Sequence, residues 1–233
     1  MKPRKVACAI WLVCLLWLPG SAGAQSATPG TTPGAGTLPS VIHLFPLPDI
    51  VLFPDVALPL MIFEPRYRAM VADALKGDGI IGMAFLRPGY EAAYEGRPPI
   101  FAIGCAGRIS KYQLLPDGRY LIELLGLVKF RVISEDQSRP YRLASVEAVP
   151  EVANADESAA LSKLRLRLDS LLAASIPRDS DLLSLPDNVF INELSQNLGL
   201  EPSERQELLE MKGPLSRAQA LIEWVEMTVA PLR

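Results

Sequence analysis

The chain has 233 residues, 23 Lys+Arg against 26 Asp+Glu for a formal net charge of −3, and 49% hydrophobic residues, an ordinary globular composition. That acidic balance disfavours nucleic acid as a partner, because phosphate binding needs clustered Lys and Arg. A single histidine, His43, and 3 cysteines are too few for a histidine-rich metal site, a two-histidine relay or a disulfide framework.

Residues 1–24 read as a secretory signal peptide. Lys2, Arg4 and Lys5 form a basic start, Val6 to Leu18 an apolar run, and Ala22-Gly23-Ala24 a small-residue cleavage site after Ala24. The competing reading, an uncleaved anchor, is disfavoured because the run falls short of the roughly 20 residues that span a bilayer. The expectation is export, to the periplasm, of a protein with no stable membrane insertion. Its net charge would be −6 and its one remaining cysteine Cys105. Residues 25–40, with Thr-Pro-Gly twice and almost nothing to bury, read as a flexible leader.

Between Leu44 and Leu75 four prolines from Pro46 to Pro59 forbid a continuous helix and favour short extended pieces. Ala57 to Phe63 reads as a strand. Glu64-Pro65 then starts a helix, with Tyr67, Met70, Val71 and Leu75 at helical spacing, ending at Gly77-Asp78-Gly79. His43, at the start of a strand, is expected at the surface or an edge without a chemical role. Ile80 to Leu86 and Ile100 to Leu115 are apolar runs, and Pro116-Asp117-Gly118 is a turn into Arg119 to Ile133. Odd-position apolar residues from Phe101 to Ile109 point Cys105 into the core as a small hydrophobe. In the last run Tyr120, Ile122, Leu124, Val128, Phe130 and Val132 fall at even positions and predict one core face, with Gly126 marking a bulge or bend. The other face carries Glu123, Lys129 and Arg131 but also Leu121, Leu125 and Leu127, so part of it is expected to be covered by helix or partner.

Phe45-Pro46-Leu47, Val51-Leu52-Phe53-Pro54, Leu58-Pro59-Leu60 and Ile62-Phe63-Glu64-Pro65-Arg66-Tyr67 together resemble the opening of the substrate-binding N-terminal domain of Lon proteases. The resemblance continues in Gly104-Cys105-Ala106-Gly107-Arg108-Ile109, in Gly118-Arg119-Tyr120 and in Leu125-Gly126-Leu127-Val128-Lys129-Phe130-Arg131. It implies an α+β fold: a PUA-like β pseudo-barrel over residues 41–150, followed by a helical subdomain over 151–233. After Pro150 the pattern does become helical. Leu161, Leu164, Leu168, Leu171 and Leu172 mark a first helix, Val189, Phe190, Leu194 and Leu198 a second, and Pro202 starts a third that ends at Gly213. Leu215, Ala218, Leu221, Ile222, Val225 and Val229 mark a fourth.

No easily recognised chemistry accompanies this pattern. The chain contains no Gly-Lys dipeptide for a phosphate-binding loop, no Gly-x-Ser-x-Gly elbow and no Ser-x-x-Lys run. Ser162 and Lys163 are adjacent, and helical neighbours diverge by about 100°. Glu64 is expected to cap its helix, with Arg66 and Arg108 bonding carbonyls or that carboxylate. The expected function is therefore non-enzymatic recognition of unfolded or extended polypeptide, with no cofactor and no metal, and with a periplasmic protease or chaperone as a further partner. Phe53, Met61, Phe63, Tyr112, Leu125 and Leu127 are the candidate contacts. The alternative is a periplasmic hydrolase whose site is too dispersed to read from spacing.

Overall fold

The computed structural model describes residues 38–93, 96–136, 138–177 and 179–229; the segment read as a signal peptide and nearly all of that read as a flexible leader lie outside them. Six strands come first in chain order: β1 Val41–Leu47, β2 Ala57–Ile62, β3 Ile80–Phe85, β4 Ile103–Leu114, β5 Tyr120–Asp136 and β6 Arg142–Val149. One helix, α1 Pro65–Ala74, interrupts them. Four helices follow, α2 Ala155–Leu171, α3 Asp187–Asn197, α4 Pro202–Glu210 and α5 Pro214–Val229. All four predicted C-terminal helices are present, and the architecture is α+β.

The strands run in the order β2-β5-β4-β3-β1-β6, and β6 also pairs with β5, so β1, β3, β4, β5 and β6 close on themselves as a barrel. The 17-residue β5 makes this closure compatible with a sixth strand. Its first half pairs with β2 through Tyr120 to Leu125, its second half with β6 through Lys129 to Asp136. β1 is parallel to β3 and antiparallel to β6, so His43 sits between two strands and not at an edge; it is half-buried, 5.6 Å from the Tyr141 ring.

Inside the barrel Ile42, Leu44, Ile80, Ala84, Ala106, Phe130 and Ala144 form a small core around the Phe130 ring. Glycine makes room for that ring. A Cβ at Gly82 would stand 3.0 Å from Phe130 Cζ, and one at Gly104 2.6 Å from it. A larger core lies between the barrel's outer face and the helices. It runs without a break from Phe53, Met70, Cys105 and Leu124 to Leu168, Phe190, Leu209 and Leu221, so strands and helices share one interior. Cys105 is fully buried there, as expected, and burial pushes its thiol pKa far up.

The even-position face predicted along β5 is in fact two faces. Ala106 pairs with Val128 but Gly107 with Gly126, which leaves Leu127 as a bulge without a partner on β4. Before the bulge the even residues Ile122 and Leu124 join the core under the helices; after it the even residue Phe130 fills the barrel. The odd residue Lys129 is thereby turned toward the helices, where it is 2% exposed, instead of toward solvent.

Candidate functional site

The six predicted contacts do not form one patch. Phe53 is completely buried: its N–H donates to Gln196 Oε1 at 3.2 Å and its ring lies 5.6 Å from the Arg217 guanidinium carbon. It is an anchor between barrel and helices, not a surface contact. Tyr112 pairs with Ile122 on the inward face and packs half-buried against the core, and Leu127, at the bulge, is half-buried against the barrel interior. The expectation of surface contact fails for Phe53, which the loop before β2 places fully inside the seam, whereas Tyr112 keeps part of its surface on the inward side of β4.

Met61, Phe63 and Leu125 are exposed, at 51%, 63% and 39%. β2 is an edge strand, and its alternation puts Leu60 and Ile62 inward and Ala57, Pro59 and Met61 outward, with Phe63 following at its end. Ala57 pairs with Leu125 and Met61 with Leu121, so these outward residues form an apolar strip over two strands. Pro59 is tolerated because β2 has a neighbour on one side only. Polar groups break and border the strip: Glu123, paired with Pro59, lies on the same face between Leu121 and Leu125, and Arg119 lies at its end. Arg119 Nη1 approaches Met61 Sδ at 3.3 Å, and Glu123 accepts from Ser110 at 2.8 Å and from Lys111 at 3.1 Å. Burial would raise the Glu123 pKa, but those two bonds outweigh it and leave it lowered. At the strand's end Glu64 occupies the N-cap position of α1 without a side-chain cap bond; its carboxylate accepts from Arg66 Nε at 2.9 Å instead.

A second concavity, a cleft of about 650 Å³, lies where the β5 bulge, the segment after β6 and the starts of α2, α3 and α5 meet. Its floor is a buried ionic cluster that spacing did not reveal. Glu151 accepts from Arg217 at 2.7 and 2.5 Å and from Lys129 at 2.8 Å; Arg217 also donates to Asn192 at 2.8 Å, and Asn192 to the Pro54 carbonyl at 2.9 Å. Lys129 completes its shell on the Met211 carbonyl at 2.5 Å. Burial works against the Glu151 charge, yet the two cations hold its pKa below 4.5. Lys129 and Glu151 come from the barrel side, Arg217 and Asn192 from the helices, so the cluster ties the two together. A signal for it existed: Arg217 precedes Leu221 and Val225 by one and two turns and so shares their buried stripe. Among the described residues no group of three His, Cys, Asp or Glu is placed to hold a metal ion.

A barrel with an added edge strand, covered on one side by four helices, defines the fold class; solved structures of the same class fix it further. The N-terminal domain of the Mycobacterium avium complex Lon protease superposes with a TM-score of 0.62 at 17% identity, covering 80% of this chain and 98% of that one. A Lon N-terminal domain protein from Xanthomonas campestris gives 0.56 at 22% identity, covering 79% and 98%. Residues 41–227 match the family model for the ATP-dependent protease La (LON) substrate-binding domain, and the chain belongs to that family. Full-length relatives include a Lon protease of Cytophaga hutchinsonii, 26% identical over 83% of this chain, and Lon protease 2 of Syntrophobacter fumaroxidans, 30% identical over 75% of it. The chain spans 25% and 23% of the length of these two relatives.

Proposed function

We propose that this protein is a non-catalytic polypeptide-recognition module that holds extended or unfolded segments on the apolar strip of β2 and β5. One observation carries the reading: in a chain of the Lon substrate-binding family, Met61, Phe63 and Leu125 stand exposed along one outer face of an edge strand and the strand it pairs with, the other side of that edge strand being open. Apolar side chains at alternate positions supply contact area, and the open edge offers backbone groups to an added strand. The basic and apolar N-terminal segment supports export, with action in the periplasm beside a protease or chaperone that processes what is bound. No hydrolytic step is assigned to the chain itself.

The test is a titration of a permanently unfolded protein, reduced and carboxymethylated, with the mature chain. The variant Met61→Ser/Phe63→Ser/Leu125→Ser is expected to bind about tenfold more weakly while melting at the wild-type temperature, since exposed contacts carry binding but little stability. Equal affinity in the two proteins would remove the strip from the account. Turnover of casein or peptidoglycan fragments by the purified chain would instead favour the hydrolase alternative.

A further inference from the structure

The cleft beside the buried ionic cluster is lined largely by apolar groups, among them Leu127, Val152, Leu161 and Leu215, with charged residues at intervals. Those charges are nearly all compensated inside the molecule. Glu151 is held by Lys129 and Arg217, Glu157 pairs with Lys212 at 2.9 Å, and Asp187 pairs with Arg165 at 3.0 Å. Asp55 is different. Among the described residues no ion pair reaches it, and its carboxylate receives only a 3.3 Å bond from Asn188 Nδ2.

Its backbone singles it out as well. Asp55 has φ 63°, the only positive value at a non-glycine residue among those described. The turn is held by the Asp55 N–H on the Gly126 carbonyl at 3.0 Å, so the carboxylate is carried to the cleft on a fixed strut. It remains accessible there. Desolvation by the surrounding walls, followed by the nearby Glu151 charge, raises its pKa, the mark of a carboxylate short of positive charge.

We infer that this cleft is a second recognition site, in which Asp55 pairs with a lysine or arginine of a bound polypeptide segment while flanking apolar side chains of that segment lie along the walls. The inference rests on the polypeptide-binding reading and adds the class of segment: basic residues set among apolar ones. Charge complementarity selects the occupant, since an uncompensated anion in a largely apolar cleft favours a cation with an apolar stem. The volume, about 650 Å³, is within the ordinary range of about 300–1,000 Å³ for ligand sites.

Two fluorescein-labelled nonapeptides of leucine and valine test it, one with a central lysine and one with norleucine in its place. The variants are Asp55→Asn and Asp55→Gly, both suited to a positive φ. Because the aspartate charge is disfavoured in the fold, both are expected to melt no lower than wild type at pH 7. Wild type is expected to prefer the lysine peptide about tenfold, the scale of one charge-assisted bond. Both variants should lose that preference and keep the affinity for the norleucine peptide. A wild type without preference, or a preference that survives both variants, overturns the cleft assignment and leaves polypeptide binding on the strip intact. Binding of neither peptide overturns both.

Discussion

Glu151 holds two buried cations on one carboxylate, and the loss of that charge would leave Lys129 and Arg217, both almost fully buried, without a counter-charge. Breaking a buried pair from one side typically costs about 3–5 kcal/mol, so Glu151→Gln is expected to lower stability by that order in urea unfolding at pH 7. The pH dependence has a definite sign. A carboxyl whose pKa is lower in the folded state stabilises above its unfolded pKa and loses that contribution as pH falls through the folded value. Wild type should therefore lose stability on acidification below about pH 4.5, and the variant should lack that component. A variant as stable as wild type at pH 7 would show that the cluster is not needed for the fold. Little of this was legible beforehand, since Lys129 reads as a solvent-facing charge until the extra residue at Leu127 is placed.

At the scale of elements, β5 decides the architecture. Its bulge lets one continuous strand serve the barrel with one half and the face under the helices with the other, and Gly126 is what permits the close approach of the Phe53 turn. A Cβ there would stand 2.0 Å from the Phe53 carbonyl oxygen, a backbone atom that cannot rotate away. Gly126→Ala is thus expected to cost about 2–3 kcal/mol in denaturant unfolding, the scale of an overpacked core. A change below about 0.5 kcal/mol would mean that the turn moves freely. The sequence signalled the glycine as a bulge or bend, and helical spacing placed all four C-terminal helices, because those signals are local. What it could not show is that a bulge exchanges inside for outside: the even-position pattern looks unbroken from Tyr120 to Val132, since both destinations are apolar.

For the whole molecule, the lesson is that barrel and helices fold around one shared interior, with Phe53, Asn192, Gln196 and Arg217 at the seam. That arrangement explains why the candidate contacts split as they did. Motif residues next to prolines serve the seam or the core, as Phe53 does, whereas Met61, Phe63 and Leu125 remain outside because they lie on the face of β2 and β5 turned away from the shared core. Sequence alternation could mark Met61 and Leu125 as lying on one face of their strands, but which face the helices would cover depends on contacts far along the chain. The central claim is that this uncovered strip receives polypeptide. It is tested most directly by mapping backbone amide shifts of isotope-labelled protein from Gln25 onward during titration with a permanently unfolded protein. Saturable shifts concentrated in residues 57–63 and 120–125 are expected; saturable binding that leaves those amides unmoved would contradict the claim.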